Sequence, residues 1–294
     1  MRGVAPLTPD VAVIVVNFNT GEETIGCVAS ALVDLGAVPS EVLVVDNASS
    51  DGSARLLGSD STIALIANDT NRGFGAAINQ ATKLARAPLF WILNPDCRVL
   101  PGAYGALLNT LERHSDCAIA APQLLNGDGS VQASARGEPD AWTGLFGRHG
   151  LLTKFFPTSG AARRNLPASD LVASGVESAE VPWVMGAAML VRREAFERIG
   201  RFDERYVLYW EDADLCRRLR LAGWTIRYVP GARVEHPGGA SANTSSRLAI
   251  RAFHESAYRY YATHVVRSPG NPLRLFAKAA LGLRARWRMR HAKN

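Results

Sequence analysis

The chain has 294 residues, of which 47% are hydrophobic and 20% are charged, and this ordinary globular composition excludes disordered and fibrous classes. Its net charge of +6 arises at the end of the chain: residues 271–294 carry seven Arg and Lys and no acid, so the remaining residues sum to −1. A nucleic-acid-binding face spread over the fold is therefore not expected.

The start of the chain predicts neither export nor membrane insertion. Residues 1–10 contain no apolar core of signal-peptide length, and no later apolar run approaches the roughly 20 residues of a membrane helix. The four cysteines lie far apart without a CxxC pair, which argues against a zinc module and a disulfide framework. We expect a cytoplasmic protein with reduced thiols.

Strands and helices alternate in the N-terminal half. The apolar runs predict strands at 11–16, 41–45, 63–66 and 89–93, each followed by a helix, at about 20–34, shortly after 52, at 73–85 and at 102–113. Thr20 and Glu23 fit a capping box at the start of the first helix. Four such alternations predict a right-handed, doubly wound α/β sheet with helices on both faces.

The pattern changes after residue 117. A hairpin is predicted over 123–134, around the turn sequence Asn126-Gly127-Asp128-Gly129, and 137–180 is irregular, as is typical of a lid or a binding segment. Helices are then predicted near 193–199, at 211–222 and at 247–264, with a strand at 225–229.

Short polar side chains follow three of the predicted strands. Asn17 and Asn19 come after the first, Asp46 and Asn47 after the second, and Asn94 and Asp96 after the fourth. Ligands of open α/β sheets bind at these carboxyl ends, although each pair alone could be ordinary loop residues. Neither a Rossmann glycine fingerprint nor a P-loop follows the first strand.

Without a phosphate-binding loop, a diphosphate needs another source of positive charge. Asp96, fixed by Pro95 and a rigid apolar strand, is a candidate ligand for a divalent cation, with a turn or helix-cap role as the alternative. The glycines of Gly73-Phe74-Gly75 are expected to let the backbone of residues 71–73 approach a ligand.

Three acids begin the predicted helix at 211. Asp212 falls on the same helical face as Leu215 and Leu219, whereas Glu211 and Asp214 fall on another. An inward carboxylate facing a cleft suits a general base, but a helix cap would also explain it. His236, before Pro237 and two glycines, is either structural or a metal ligand.

Apolar residues recur at helical spacing in the basic tail: Leu273, Phe276, Ala280, Leu283 and Trp287. A helix of this kind can lie in an anionic membrane interface. It can equally pack one side on its own domain.

Several of these motifs together resemble glycosyltransferase family 2, which has the GT-A fold with a doubly wound mixed sheet. The resemblance covers nearly the first 240 residues and rests on residues 15–19, 44–53, 71–79, 93–96 and 210–215. Residues 200–206, Gly-Arg-Phe-Asp-Glu-Arg-Tyr, look like the bacterial rhamnosyltransferase branch, which acts in cell-wall and O-antigen assembly. A GT-A domain over 1–246 and a helical extension over 247–294 are expected.

The resemblance implies a site for a nucleotide-sugar donor. Its nucleotide-binding residues would be Asn17, Asn19, Asp46, Asn71, Arg72, Gly73, Asn79, Asn94 and Asp96. Asp96 would bind Mg²⁺ or Mn²⁺ with His236 as a further ligand, and Asn94 replaces the first acid of the family's metal motif. Asp212, with Glu211 beside it, would be the catalytic base of an inverting transfer, and Trp183 and Trp210 are candidates for stacking on the acceptor sugar, with core packing as the alternative.

The expected donor is dTDP-rhamnose, and the expected acceptor is a glycan or a polyprenyl-diphosphate-linked saccharide at the inner face of the cytoplasmic membrane. Two rivals remain: a non-catalytic carbohydrate- or nucleotide-binding module on the same fold, and a nucleotidyltransferase. The second predicts a Gly-rich basic loop after the first strand, which the sequence lacks.

Overall fold

A mixed sheet of nine strands forms the centre of the protein. The computed structural model describes residues 8–138, 175–238 and 247–291. The strands in these ranges are β1 (Val11–Asn17), β2 (Ser40–Asp46), β3 (Ala64–Ala67), β4 (Leu89–Leu93), β5 (Arg98–Val99), β6 (Cys117–Leu125), β7 (Ala135–Arg136), β8 (Ala179–Glu180), β9 (Trp183–Val184), β10 (Ala188–Arg192) and β11 (Thr225–Glu235). The order in the sheet is β3-β2-β1-β4-β10-β6-β11-β5, with β8 paired to β11, while β7 and β9 form a separate pair.

The strand directions bring one set of strand ends together. β1 to β4 are mutually parallel, β10 runs antiparallel between β4 and β6, and β11 is parallel to β6. The carboxyl ends of β1, β2, β4 and β11 therefore lie at one edge of the sheet. The doubly wound mixed sheet expected from the sequence is confirmed.

Helices cover both faces of this sheet. Those in the described ranges are α1 (Gly21–Leu35), α2 (Ser53–Gly58), α3 (Phe74–Leu84), α4 (Ala103–Arg113), α5 (Arg193–Arg198), α6 (Glu211–Leu221), α7 (Arg247–Tyr260) and α8 (Pro272–His291), with a π-helical turn over Tyr261–Val265. One core lies under α1, α2 and α4, and the other lies under α3, α5 and α6. All seven residues of β1 are buried, as expected for a strand covered on both faces.

The sequence predictions differ from the structure at several elements. β6 and β10 were not predicted, and only an isolated bridge between Leu125 and Val131 forms in the predicted hairpin. β11 continues to Glu235 past an irregular pairing between Val229 and Arg233. Most of the irregular segment, 139–174, lies outside the described residues.

The predicted capping box at α1 is wrong. Thr20 makes no side-chain cap bond to the helix, and its hydroxyl instead donates to Asn17 Oδ1 at 3.0 Å. Asn17, at the end of β1, is a nearby acceptor, and the Thr20 hydroxyl bonds to it and not to the helix.

Two helices complete the chain beyond residue 246. α7 lies against the segment before α6, where Ser256 donates to the Leu208 carbonyl at 3.0 Å. α8 packs on α7, and its buried residues are Ala277, Leu281 and Ala285. The predicted domain boundary falls next to 239–246, outside the described residues, and stays a prediction. No helix within the described ranges is long and apolar enough to cross a membrane.

The apolar stripe predicted in the tail lies on a different side of α8 from its buried face. Leu273, Phe276, Leu283 and Trp287 are 53%, 62%, 66% and 60% exposed. We call these four residues the α8 stripe. The helix does pack one side on its own domain, but through small residues and not through this stripe.

Candidate functional site

Asn17 and Asp46 form a buried pair at the ends of β1 and β2. The Asn17 amide donates to Asp46 Oδ1 at 2.6 Å and to Ser49 Oγ at 3.0 Å, and its oxygen accepts the hydroxyls of Thr20 and Thr24. Asp46 Oδ2 accepts the Ser49 N–H at 3.0 Å. These bonds occupy the whole Asn17 amide and fix Asp46, and the predicted nucleotide-binding roles of Asn17 and Asp46 stay predictions.

Asn19 sits at the rim of this pair. Its backbone is left-handed, with φ of 55°, and its side-chain oxygen accepts the Ser50 N–H at 2.8 Å. The turn thereby connects the loop after β1 with the loop after β2. As predicted from the strand ends, the two loops meet at one edge.

Asn47 organises the loop before α3. Its amide donates to Asn71 Oδ1 at 2.9 Å, and its oxygen accepts the Arg72 N–H at 3.0 Å. Asn71 and Arg72 are exposed at the edge of the site. They are positioned to contact a ligand, and their predicted nucleotide-binding role stays a prediction.

The glycines at 73 and 75 have a packing reason that the sequence did not indicate. A Cβ on Gly73 would lie 2.5 Å from the Val207 carbonyl oxygen, and a Cβ on Gly75 would lie 3.0 Å from Phe202 Cβ. Both glycines make room for another segment of this chain, and the approach of a ligand to residues 71–73 stays a prediction. Gly73 also has a φ of 84°, a conformation that other residues rarely adopt.

The predicted contact between Asn79 and the nucleotide is not supported. Asn79 is 4% exposed, and its amide donates to the Phe202 carbonyl and to Glu204 Oε1 while its oxygen accepts the Phe202 N–H. These bonds use both N–H groups and the oxygen. Asn79 instead holds α3 against the segment before α6.

Asn94, Asp96 and His236 meet at the ends of β4 and β11. His236 Nε2 lies 3.4 Å from Asp96 Oδ1 and 3.3 Å from Asn94 Nδ2. Asp96 Oδ1 is buried and has no hydrogen-bond partner among the described residues. Burial lowers the pKa of His236, and the Asp96 charge opposes that shift.

These residues fit a divalent cation. A neutral His236 and the Asp96 carboxylate place two electron-rich atoms next to each other, and a cation between them would satisfy both. The described residues contain no group of three or more His, Cys, Asp and Glu side chains that could hold a metal. A cation here would take its remaining ligands from the diphosphate and from water.

Asp212 lies at the same edge, at the start of α6. Its Oδ2 accepts the Gly186 N–H at 2.9 Å, and its Oδ1 accepts the Ala213 N–H at 2.8 Å. The residue after Gly186 is Ala187, and its backbone carbonyl accepts the Asn94 N–H at 2.7 Å. Two residues of backbone thus connect the predicted base with the Asn94 turn that carries Asp96.

The predicted orientation of the acids on α6 is partly wrong. Asp214 is 1% exposed and bonds His264 at 2.6 Å and Arg218 at 2.7 Å, so it is more buried than the partly exposed Asp212. α7 and the π-helical turn cover a second face of α6, which the helical pattern alone does not indicate.

Glu211 is buried beside Asp212, and its Oε2 has no hydrogen-bond partner among the described residues. Burial, assisted by the Asp212 charge, raises the pKa of Glu211 to about 8. The surroundings of Glu211 therefore favour its protonated form. The residues before it, Tyr209 and Trp210, both have left-handed backbone, with φ of 67° and 71°.

The two tryptophans predicted to stack on sugar differ in position. Trp183 is 7% exposed in the core, donates to the Gly137 carbonyl at 2.8 Å, and has the Arg136 guanidinium 5.1 Å from its ring centre. A stacking role for Trp183 is not supported, because it is a core residue. Trp210 is partly exposed and packs on Phe253 and Tyr260, and its stacking role stays a prediction.

Three residues of the site were not predicted from the sequence. The Gly186 N–H donates to Asp212, and Gln132 contacts His236. Arg136 lies near enough to Asp212 for the two charges to interact: burial lowers the pKa of Arg136, and the Asp212 charge opposes that shift. A glycine before a buried strand was a signal for Gly186. Gln132 and Arg136 follow an ordinary turn sequence, where nothing distinguishes them.

Comparison with known sequences and structures gives consistent matches. The sequence profile of glycosyl transferase family 2 matches residues 12–200, and that of glycosyl transferase family group 2 matches 155–289. The chain is 34% identical over 261 residues to the N-acetylglucosaminyl-diphospho-decaprenol L-rhamnosyltransferase of Mycobacterium tuberculosis, covering 84% of this chain and 82% of that protein. It is 38% identical to rhamnosyltransferase WbbL of Escherichia coli over 91 residues, which cover 31% of this chain and 34% of that protein.

Among solved structures, the fold is similar to that of GalNAc-T7 with UDP, GalNAc and Mn²⁺, with a TM-score of 0.61 at 16% identity. The match covers 94% of this chain but about half of that structure, 55%. At this identity the likeness shows the fold alone, and the expected GT-A fold is confirmed.

Proposed function

Because the chain belongs to glycosyltransferase family 2 and is a glycosyltransferase, we propose that it is an inverting rhamnosyltransferase that uses a nucleoside-diphosphate donor. The proposed donor is dTDP-rhamnose, and the proposed acceptor is a polyprenyl-diphosphate-linked saccharide of cell-wall or O-antigen assembly. The printed names of the mycobacterial and Escherichia coli relatives support rhamnose, and the mycobacterial name supports a lipid-linked acceptor.

The observation that carries this proposal is the position of Asp212. Two backbone N–H groups fix its carboxylate, and Gly186 and Ala187 connect it with the turn that bears Asp96. A general base must lie near the reacting sugar and keep a fixed orientation. In the proposed mechanism, Asp212 removes the proton of the acceptor hydroxyl, and the oxygen attacks the anomeric carbon opposite the diphosphate, which inverts the linkage.

Asp96 and His236 are the residues that would hold a Mg²⁺ or Mn²⁺ ion. The chemistry supplied there is positive charge beside the departing diphosphate. The Mn²⁺ in the GalNAc-T7 structure supports a divalent cation for this fold. Asn17 positions Asp46, and Asn47 positions the loop at 71–73. Asp46 and this loop are the proposed nucleotide contacts.

The α8 stripe is the proposed contact with the membrane that contains the acceptor. It is exposed, and the helix carries cations but no acid, so its charge suits an anionic lipid surface. Docking there would bring the site to a lipid-linked saccharide.

The function is tested by activity of the full chain. Purified protein is incubated with dTDP-rhamnose, UDP-sugars or GDP-mannose, with and without Mg²⁺, and with polyprenyl-diphosphate N-acetylglucosamine as acceptor. Transfer from dTDP-rhamnose with inversion at the anomeric carbon is expected. Transfer from another donor, or retention of configuration, would contradict the proposal, and nucleotide binding without transfer would favour a binding module.

The base assignment is tested by Asp212→Asn. Loss of a general base is expected to lower kcat by about 10² to 10⁴, while nucleotide affinity stays within about twofold. Calorimetric titration with the nucleoside diphosphate and a rate assay separate the two effects. The matched control is Asp116→Asn, at an exposed aspartate before β6, which should retain activity. Full activity of Asp212→Asn would exclude this residue as the base.

A further inference from the structure

Gln132 contacts His236 through both ends of its side-chain amide. Its Nε2 donates to the His236 carbonyl at 2.6 Å, and its Oε1 lies 3.1 Å from His236 Nδ1. Backbone bonds fix both residues, because the Gln132 N–H donates to the Leu124 carbonyl and the His236 N–H donates to the Leu125 carbonyl. The histidine ring is therefore held from the side opposite Asp96.

These contacts determine which ring nitrogen of His236 carries the proton. The bond from Gln132 Nε2 to the His236 carbonyl turns the amide oxygen toward Nδ1, and an amide oxygen only accepts hydrogen bonds. Nδ1 must therefore be the donor. In a neutral ring, the lone pair is then on Nε2, the atom that lies 3.4 Å from Asp96 Oδ1.

The Asn94 amide agrees with this assignment. Its Nδ2 lies 3.3 Å from His236 Nε2 and can only donate, so Nε2 is the acceptor, and a bound cation would take the place of this hydrogen bond on the Nε2 lone pair. With Nε2 as an acceptor, nothing between it and Asp96 Oδ1 supplies a proton, and that oxygen is buried without a hydrogen bond. The two atoms form half of a cation site, with one histidine nitrogen and one carboxylate oxygen.

We propose that Gln132 is a positioning residue for the divalent cation, because it holds His236 in the Nδ1–H tautomer with Nε2 directed at Asp96. The inference rests on the cation role of Asp96 and His236 in the proposed function. Partners that orient a metal-binding histidine in this way raise metal affinity by about 10- to 100-fold. Gln132 would therefore act on the cation without touching it.

Two substitutions separate positioning from a general structural role. Gln132→Leu removes both contacts with His236, whereas Gln132→Glu keeps an oxygen that accepts the Nδ1–H. Gln80→Leu is the matched control, because Gln80 lies on α3, which packs on β1 and β2 at a distance along the sheet from His236. Circular dichroism and thermal melting establish that each variant is folded.

The first readout needs no metal. Nitrogen-15 NMR of histidine-labelled protein at pH 8 distinguishes the two tautomers, and the His236 signal is identified by its absence in His236→Asn. The wild type and Gln132→Glu are expected in the Nδ1–H form, and Gln132→Leu is expected to shift toward the Nε2–H form. A wild-type ring in the Nε2–H form would overturn the inference.

The second readout is Mn²⁺ affinity, measured by electron paramagnetic resonance in the presence of the nucleoside diphosphate. Gln132→Leu is expected to weaken Mn²⁺ binding by about 10- to 100-fold, and Gln132→Glu and Gln80→Leu should stay within a few-fold of the wild type. Equal binding by the wild type and Gln132→Leu would overturn the role of Gln132 and leave the proposed cation site intact. No Mn²⁺ binding by the wild type would overturn both.

Discussion

Glu211 and Asp212 are adjacent carboxyl groups with different surroundings. Asp212 accepts two backbone N–H groups, whereas Glu211 is buried with one oxygen unbonded and has its pKa raised to about 8. Neighbouring carboxyl groups in such different environments are typical of acid and base pairs. A neutral Glu211 adds no negative charge beside Asp212, so it does not disfavour the ionised carboxylate that a general base requires.

Glu211 makes the stability of the protein depend on pH. Below pH 4.5 the group is protonated in both the folded and the unfolded chain, but between pH 4.5 and about 8 only the folded chain keeps the proton. The free energy of unfolding therefore falls as pH rises through this window, by roughly 5 kcal/mol at most. Glu211→Gln should remove this dependence, so its stability relative to the wild type should rise with pH, as measured by urea unfolding at several pH values.

Glu22→Gln, at an exposed glutamate in the first turn of α1, is the control, and its unfolding free energy should follow the wild type at every pH. If the Glu211→Gln and wild-type curves ran parallel from pH 5 to 9, the buried proton on Glu211 would be excluded.

The residues of the site that could be predicted from the sequence are those at strand and helix ends. Asp46, Asp96 and Asp212 could be predicted because an acidic residue directly after an apolar run, or at the start of a helix, can be recognised in the sequence alone. Ser49, which holds Asp46, and Gln132, which holds His236, could not be found, because they contribute ordinary backbone and amide groups. Their function depends on distances that only the folded chain establishes.

At the scale of an element, the loop before α3 depends on one close contact. Gly73 lies against Val207, and the Phe74 N–H donates to the Val207 carbonyl at 3.2 Å. This contact connects the loop at 71–73 with the segment that leads into α6. A side chain at position 73 would push the two apart.

Gly73→Ala should therefore destabilise the protein by about 2 kcal/mol or more, because the new Cβ meets backbone and the φ is positive. It should also weaken nucleotide binding, since Asn71 and Arg72 move with the loop. The control is Gly26→Ala in the middle of α1, where a Cβ meets nothing within 4 Å, and it should stabilise by about 0.5–1 kcal/mol. Chemical denaturation and nucleotide titration measure both effects, and equal stability of the two variants would contradict the close contact.

The elements themselves were largely predictable. The four strand–helix alternations of the first half are present, because continuous apolar runs are typical of parallel strands buried on both faces. β10 could not be predicted, since its sequence Ala-Met-Leu-Val-Arg is short and suits a helix as well. Its place is decided by pairing with β4 and β6, which lie far away in the sequence.

At the scale of the whole molecule, the α8 stripe would determine the orientation of the enzyme on a membrane. The stripe is exposed, while α8 is attached to α7, and α7 lies against Trp210 beside the predicted base. Lipid contact and acceptor entry would therefore occur on the part of the molecule that carries α6. Val33, on α1 across the sheet, is an apolar residue that is 81% exposed, more than any residue of the stripe.

Replacing Phe276, Leu283 and Trp287 together by Ser should abolish sedimentation with phosphatidylglycerol vesicles, because the apolar contact with the interface is lost. Wild-type binding should fall as salt concentration rises, since the cations contribute, and it should be weak on neutral phosphatidylcholine. Val33→Ser is the control and should bind like the wild type. Unchanged binding of the triple variant to vesicles would contradict membrane docking. If the wild type were a dimer and the triple variant a monomer, the stripe would be a self-association surface.

The position of β10 has a consequence for how the chain is made. β4 ends at Leu93, but the strand that covers its open edge is completed only at Arg192, so a nascent chain carries an unpaired apolar edge during the synthesis of about a hundred residues. Pairing over such a separation is also slow to form. Because Gly186 and Ala187 precede β10 directly, Asp212 and the Asn94 turn are brought together only when this strand enters the sheet. Asp96 and Asp212 lie on either side of β10 in the sequence, so these two parts of the site are synthesised at different times and are brought together when β10 pairs with β4.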